Sequence, residues 1–244
     1  MARRRFFVDA IRGGTAEILG EEARHLTRVL RGEPGQQFEI SDNRAVWLAE
    51  IVEAHGERVV FRVLEPVKSP PLSARITLIA AIVKFDRFEW MIEKATEMGV
   101  ERILPMEAAR TEKGLFEASH KRAERWRRIA RESSQQARRT SVPEILAPAR
   151  FAASLARPAA YRYFMDESGA PALLRQLPAD RNPNDEVAVM IGPEGGWTDA
   201  ERQSAAAAHW MAASLGPLIL RAETAATAAL AIVANAWMAA DSLQ

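Results

Sequence analysis

Up to about residue 70, apolar positions come in short runs separated by turn-forming residues. Phe6-Phe7-Val8, Gln37 to Ser41, Val46 to Val52 and Arg58 to Leu64 read as strands bounded by Gly, Asp-Asn and His-Gly turns. One helix fits Glu21 to Leu30, where Ala23, Leu26 and Leu30 share a face. This is the pattern of a small β-barrel-type domain. Glu65 to Pro71 carries three prolines, which neither donate to a ladder nor continue a helix, so the segment reads as a linker. The rhythm then changes. Ile76 to Val83 is a continuous apolar run, as in a strand buried on both faces of a parallel sheet. Phe88 to Met98 has helical spacing closed by Gly99, Arg102 to Met106 is a strand, and His120 to Ala137 is a helix with Trp126, Ile129 and Ala130 on its apolar side. Tyr161 to Met165 and Val187 to Ile191 are further strands. The alternation predicts an α/β domain with a mainly parallel sheet over residues 73–244, preceded by the β domain over 1–72.

Two segments of the second domain carry candidate chemistry. Ile191-Gly192-Pro193-Glu194-Gly195-Gly196 follows an apolar strand, and Thr198 with Glu201 fits a capping box that opens a helix directly afterwards. Leu215-Gly216-Pro217-Leu218-Ile219-Leu220-Arg221-Ala222-Glu223-Thr224 repeats the plan, with a helix expected to open near Thr224. Glycines there leave so little bulk that a ligand can touch the main chain, although strand-loop-helix joints with glycine are also common as plain turns. In open α/β sheets ligands sit at the carboxyl ends of strands, which is where both loops lie. Neither loop is a standard dinucleotide or phosphate motif.

These residues resemble the cofactor region of the SPOUT methyltransferases, and within them the RsmE family, which makes N3-methyluridine in small-subunit (16S) ribosomal RNA. The resemblance runs along nearly the whole chain: Arg4-Arg5-Phe6-Phe7, His25 to Arg31, Lys84 to Val100, Val142-Pro143-Glu144-Ile145 and both C-terminal loops occur in the family's order. It implies a PUA-like first domain, a trefoil-knotted second domain, S-adenosylmethionine as cofactor and an obligate homodimer. Ile191, Gly192, Pro193, Gly195, Gly196, Leu215, Gly216, Leu220, Thr224 and Ala225 are the implied cofactor contacts. Three positions depart from the family pattern. Gln135 stands in place of an acid, Arg138 in place of a glycine, and Ala222 in place of a threonine.

Methylating N3 of uracil requires loss of its proton, so the site must align the nitrogen and favour the anion. Arg221 is the best candidate donor, since a guanidinium cannot act as a base; a salt bridge to Glu223 or a subunit-interface contact is the structural alternative. Glu194 and Glu223 are the nearby acids, and the sequence does not choose a base between them. Two competing readings share these residues: a transfer-RNA methyltransferase of the same fold, and a non-catalytic RNA-binding ribosome assembly factor.

Composition narrows the classes. The chain has 244 residues, 48% hydrophobic and 27% charged, as in an ordinary globular protein. It has no cysteine, which removes disulfides and thiol catalysis and points to a reducing, cytoplasmic setting. Asp9 and Arg12 interrupt any signal-peptide core, and Ala225 to Ala240 is too short and mixed for a membrane span. His55, His120 and His209 match no metal spacing, so no metal is expected. Five of the six tryptophans read as core or interface, and Trp197, beside the glycine loop, stays open as a stacking platform. Net charge is only +1, but Arg110 to Arg139 holds ten Lys or Arg against four acids. Such a patch suits a polyanion, and a solvated helix face would read the same way. Candidate RNA contacts are Arg4, Arg5, His25, Arg28, Arg31, Lys84, Arg125, Arg128 and Arg139.

Overall fold

A computed structural model describes residues 4–68 and 74–238. Two compact units emerge: Met1–Pro70 with Ser134–Val142, and Pro71–Ser133 with Pro143–Gln244.

The first unit is one mixed sheet in the order β1-β4-β5-β6-β3-β2, built from β1 (Arg5–Phe7), β2 (Ile11–Arg12), β3 (Thr15–Leu19), β4 (Gln37–Ser41), β5 (Val46–His55) and β6 (Arg58–Val67). β1 pairs with β4 in parallel, and every other pairing is antiparallel. Its core is Phe6, Ile18, Leu26, Ile40, Ile51 and Phe61, with Phe38 bridging Phe6 and Phe61 edge-on. The sequence pattern missed β2 and β3, because β3 buries only Ala16 and Ile18 and gives too short an alternation. The expected helix is present as α1 (Gly20–Arg24) running into a π-helical turn, His25–Val29. The Thr27 hydroxyl there donates to the carbonyls of Ala23 and Gly56.

The proline segment corrects one expectation. β6 continues to Val67, with Pro66 paired to Trp47 of β5. β3 pairs with β6 only as far as Arg62. Beyond that point β6 has one neighbour, so a residue without an N–H is tolerated. Ser69-Pro70-Pro71 lie outside the described residues.

Residues 134–142 are tied to this sheet. Gln135 donates to Glu22, Arg138 to Glu39, and the Val142 N–H to Asn43 at 3.0 Å. Arg5, itself buried, donates to Glu39 Oε2 at 2.8 and 3.1 Å and also to the Arg138 carbonyl. Two of the departures from the family pattern, Gln135 and Arg138, thus have local partners. Arg138 sits at φ +53, a conformation glycine adopts freely.

The second unit is an all-parallel sheet in the order β10-β8-β7-β12-β11-β13, with β9 (Glu144–Ile145) also on β8. Its strands are β7 (Ala74–Ala81), β8 (Arg102–Glu107), β10 (Ala149–Arg150), β11 (Tyr161–Met165), β12 (Asp185–Ile191) and β13 (Met211–Ala213). Its helices are α2 (Phe85–Glu97), α3 (Leu115–Ser119), α4 (Ala123–Gln136), α5 (Phe151–Leu155), α6 (Leu173–Gln176), α7 (Asp199–Ala207) and α8 (Ala222–Ala236). The continuous helix expected over His120 to Ala137 begins later, at Ala123, after a 3-10 turn at His120–Arg122. Gly99, at φ +90, closes α2 as its position predicts. The β7 and β12 runs are buried on both faces, which explains their unbroken apolar sequence. The core gathers Ile79, Leu104, Met106, Phe164, Met190 and Trp197. From the edge strand β13, the chain returns through residues 214–221 to α8, which packs on α2, β7 and β12. Ala226, Ala229, Leu230, Val233 and Trp237 are buried in that packing.

Candidate cofactor site and RNA-facing residues

The carboxyl ends of β11 and β13 frame an open pocket. Met165, Asp166 and Glu167 form one wall, and Ser214, Leu215, Gly216, Leu218, Leu220 and Ala225 the other. One side is acidic and the other mostly aliphatic, with main chain exposed at Gly216. Gly216 sits at φ +123 with no atom within 4 Å of where a Cβ would stand.

The first glycine loop lies against Trp197, Arg110 and Glu167. A Cβ on Gly192 would meet the Trp197 ring at 2.8 Å, and one on Gly195 would meet the Arg110 side chain at 3.2 Å. One on Gly196, at φ +69, would stand 2.8 Å from Glu167 Oε1. Arg110 Nη1 also donates to the Gly195 carbonyl at 2.7 Å. Side chains at these three positions would therefore meet the loop's own protein neighbours. Trp197 closes as core: it is buried, stacks on Phe164 at 4.4 Å, and donates to the Met165 carbonyl at 2.8 Å. The capping box is as the sequence predicts, with Thr198 Oγ1 accepting from Glu201 N and Glu201 Oε2 accepting from Thr198 N. Glu201 additionally accepts from Ala109 N at 2.8 Å, fixing the loop that carries Arg110.

Asp166 is clamped. Arg202 of α7 donates to both its oxygens, at 2.8 and 3.2 Å. Burial pushes the Asp166 carboxyl up, but the Arg202 and Ser168 hydrogen bonds outweigh burial and hold its pKa below the ordinary value. The clamp therefore contributes stability above the ordinary carboxylate range and loses it as pH falls through the lowered pKa.

Comparison with known proteins decides what this arrangement belongs to. Residues 70–234 match the RNA methyltransferase domain family, and residues 18–64 the RNA methyltransferase PUA domain family. The ribosomal RNA small subunit methyltransferase E of a Synechocystis strain is 33% identical over 89% of this chain and 72% of its own length. The Bacillus subtilis protein of that name is 30% identical over 90% and 89%. The Neisseria gonorrhoeae protein of that name, solved bound to S-adenosyl methionine, superposes with a TM-score of 0.87 at 28% identity, covering 97% of this chain and 98% of that one. A Legionella pneumophila chain solved with the cofactor SAM superposes equally well at 26% identity.

This chain belongs to the RsmE family.

The residues expected from the RsmE pattern divide into those the structure gathers and those it separates. Leu215, Gly216, Leu220 and Ala225 line the pocket, while Ile191 and Pro193 are buried beneath the first loop and Thr224 is exposed on the first turn of α8. Arg221 caps α8 with its backbone, is exposed, and has no side-chain hydrogen bond or ion pair among the described residues. The salt bridge to Glu223 is absent. One Glu223 carboxylate oxygen, Oε2, is buried without a partner. Glu194 is paired with Arg87 of α2.

Among the RNA candidates, Arg4, His25, Arg28, Arg31, Lys84 and Arg128 are exposed. Arg125 is exposed but bonded to Glu89 at 2.7 Å. Arg5 and Arg139 are buried, Arg5 on Glu39 and Arg139 with its Nε donating to the Ser141 carbonyl. Adjacent arginines thus separate into surface and structural ones, which charge counting alone does not resolve. The sequence reading missed Asp166, Glu167, Arg202 and Arg110. Asp166-Glu167-Ser168-Gly169 directly follows a strand, and a third strand end at the sheet's ligand edge was the available signal. No group of His or acids among the described residues could hold a metal.

Proposed function

We propose that this chain transfers a methyl group from S-adenosylmethionine to N3 of a uridine in small-subunit ribosomal RNA. The observation that carries the reading is an exposed Arg221, without a side-chain partner among the described residues, directly after Leu220, which lines the pocket at the carboxyl ends of β11 and β13. The near-full-length likeness to RsmE-family proteins, one of them solved with that cofactor, supplies the substrate class.

The residues fit such a ligand: aliphatic side chains at Leu215, Leu218 and Leu220 suit an adenine, and carboxylates stand opposite. When bound, S-adenosylmethionine supplies an electrophilic methyl on a sulfonium. The protein's part is orientation and charge. The Arg221 guanidinium donates in a planar fork and stays charged, so it stabilises the negative charge that develops on the uracil carbonyl oxygens. Glu223, in the first turn of α8 and with an unsatisfied oxygen, is in this reading the group that takes the N3 proton, because Glu194 is committed to Arg87. The test is incubation of the purified chain with labelled S-adenosylmethionine and small-subunit ribosomal RNA. Transfer of label that requires both cofactor and chain supports the reading, and its absence contradicts it.

RNA is held, in this reading, by phosphate contacts from His25, Arg28 and Arg31 on the first unit and from Lys84 and Arg128 on the second. Replacing Arg28, Arg31 and Arg128 by Gln should make binding less salt-dependent. The slope of log affinity against log salt should fall by about two, at roughly 0.7 per single-strand phosphate lost. An unchanged slope would make those arginines a solvated surface.

The proposed assembly is a homodimer in the cytoplasm. No helix among the described residues is long and apolar enough to cross a membrane. Support for a dimer lies in the loop before α8, since the apolar residues of α8 itself pack on the chain's own sheet. Leu218 and Ile219 there are 76% and 86% exposed, and a pair of neighbouring large aliphatic residues in water favours a covering partner. Light scattering over a dilution series should give a dimer mass; a fully active monomer at micromolar concentration contradicts it.

A further inference from the structure

We propose that Glu167 reads the ribose hydroxyls of the cofactor, an inference that rests on S-adenosylmethionine occupying the pocket at the ends of β11 and β13. Glu167 lies in the turn that follows β11, and almost every polar group around it is already committed. The Asp166 N–H donates to the Ala213 carbonyl at 2.9 Å, and the Gly169 N–H to the Glu167 carbonyl at 3.0 Å. The Ser168 N–H donates to Asp166 Oδ1 at 3.0 Å, and Arg202 donates to Asp166 and to Ser168 Oγ. The backbone of the turn is thereby pinned to α7. The Glu167 carboxylate alone is left over: it lines the pocket, is exposed, and has no hydrogen bond or ion pair among the described residues.

Its position is also kept clear. Glu167 Oε1 stands 2.8 Å from where a Cβ on residue 196 would be, so the carboxylate lies against the loop, and a side chain at 196, strained already at φ +69, would push it aside. Gly196 thus serves the ligand indirectly, by making room for the group that would touch it. An ionised carboxylate accepts only, through two oxygens, and neighbouring hydroxyls are a matched pair of donors. Asp166 is an unsuitable reader, because Arg202 takes both its oxygens. The aliphatic wall of Leu215, Leu218 and Leu220 offers the hydroxyls nothing. An ammonium group is the other partner a free carboxylate can take, and the cofactor carries one on its amino-acid end.

Calorimetry on the full chain separates the two. The probes are S-adenosylmethionine, 5′-methylthioadenosine, which lacks the amino-acid part, and the 2′-deoxy and 3′-deoxy forms of the latter. The wild-type chain should bind 5′-methylthioadenosine about tenfold or more tighter than a deoxy form, as expected for a hydrogen bond to a charged group. Glu167→Ala should weaken S-adenosylmethionine and 5′-methylthioadenosine by a similar factor and remove the discrimination against the deoxy forms. Glu167→Gln, which keeps one acceptor oxygen, should retain part of it. Discrimination that is absent in the wild-type chain, or intact in Glu167→Ala, overturns the inference. So does a loss confined to S-adenosylmethionine, which would assign Glu167 to the ammonium. Because the first comparison needs no variant, a folding defect does not blunt it. A wild-type chain that binds no S-adenosylmethionine would instead overturn the proposed function, and this inference with it.

Discussion

Replacing Arg221 by Lys should lower single-turnover methyl transfer by about a hundredfold or more, the usual cost of removing one donor to a developing oxyanion. The side chain has no partner among the described residues, so little folding stability rides on it. Lysine keeps the positive charge but presents a compact ammonium in place of a planar fork, so two carbonyl oxygens can no longer be met in one fixed geometry. An interaction made mainly in the transition state affects turnover and leaves ground-state affinity nearly intact. Cofactor and RNA affinities, measured separately, should therefore change little. A matching loss of cofactor affinity with normal turnover at saturation would place Arg221 in the cofactor pocket. Dissociation of a dimer would place it at an interface.

The largest effect on stability is expected in the first unit. Glu39→Ala should cost on the order of 3 kcal/mol, because it strands the buried guanidinium of Arg5 without its carboxylate. Both side chains are almost fully buried, at 4% and 7% exposure, while Arg138, the second cation on Glu39, is 43% exposed. Arg138→Gly is the informative control. It removes a cation that is itself exposed, so the pair is worth far less than the buried one, and relieves a left-handed backbone that arginine adopts reluctantly. Urea denaturation should show a large loss for Glu39→Ala and little change for Arg138→Gly. Similar losses would mean that the carboxylate's value lies in its pair with Arg138.

How far the sequence carried the fold follows from which interactions are local. Unbroken apolar runs at Ile76 to Val83 and Val187 to Ile191 announce strands covered on both faces, and these became the centre of the parallel sheet. The Thr198–Glu201 capping box is a four-residue device and was legible as such. The short strands β2, β9 and β10 were not, since two residues carry no period and their pairing depends on distant neighbours. The extent of β6 was misread for a related reason: whether Pro66 breaks a strand depends on whether β3 still runs beside it, which no local pattern tells.

The site shows the same division. The position of both glycine loops at strand ends followed from the strand-loop-helix pattern. The protein contacts of the glycines did not, because they are made with Trp197, Arg110 and Glu167, the last two far away in sequence. Arg5 and Arg139 read as surface cations beside other arginines, yet burial against Glu39 and the Ser141 carbonyl makes them structural. Asp166 and Glu167 were passed over because the Asp-Glu-Ser-Gly turn looks like ordinary surface, and only the parallel pairing of β11 with β12 and β13 brings it to the ligand edge.

The central claim is the atom that receives the methyl group. Small-subunit ribosomal RNA from cells lacking this chain, treated with the purified protein and S-adenosylmethionine, can be digested to nucleosides and resolved by mass spectrometry. One 3-methyluridine per RNA molecule, absent without the protein and strongly reduced with Arg221→Lys, is the expected result. Methylation at a ribose hydroxyl or at a base carbon, or no methylation with the cofactor demonstrably bound, would contradict it.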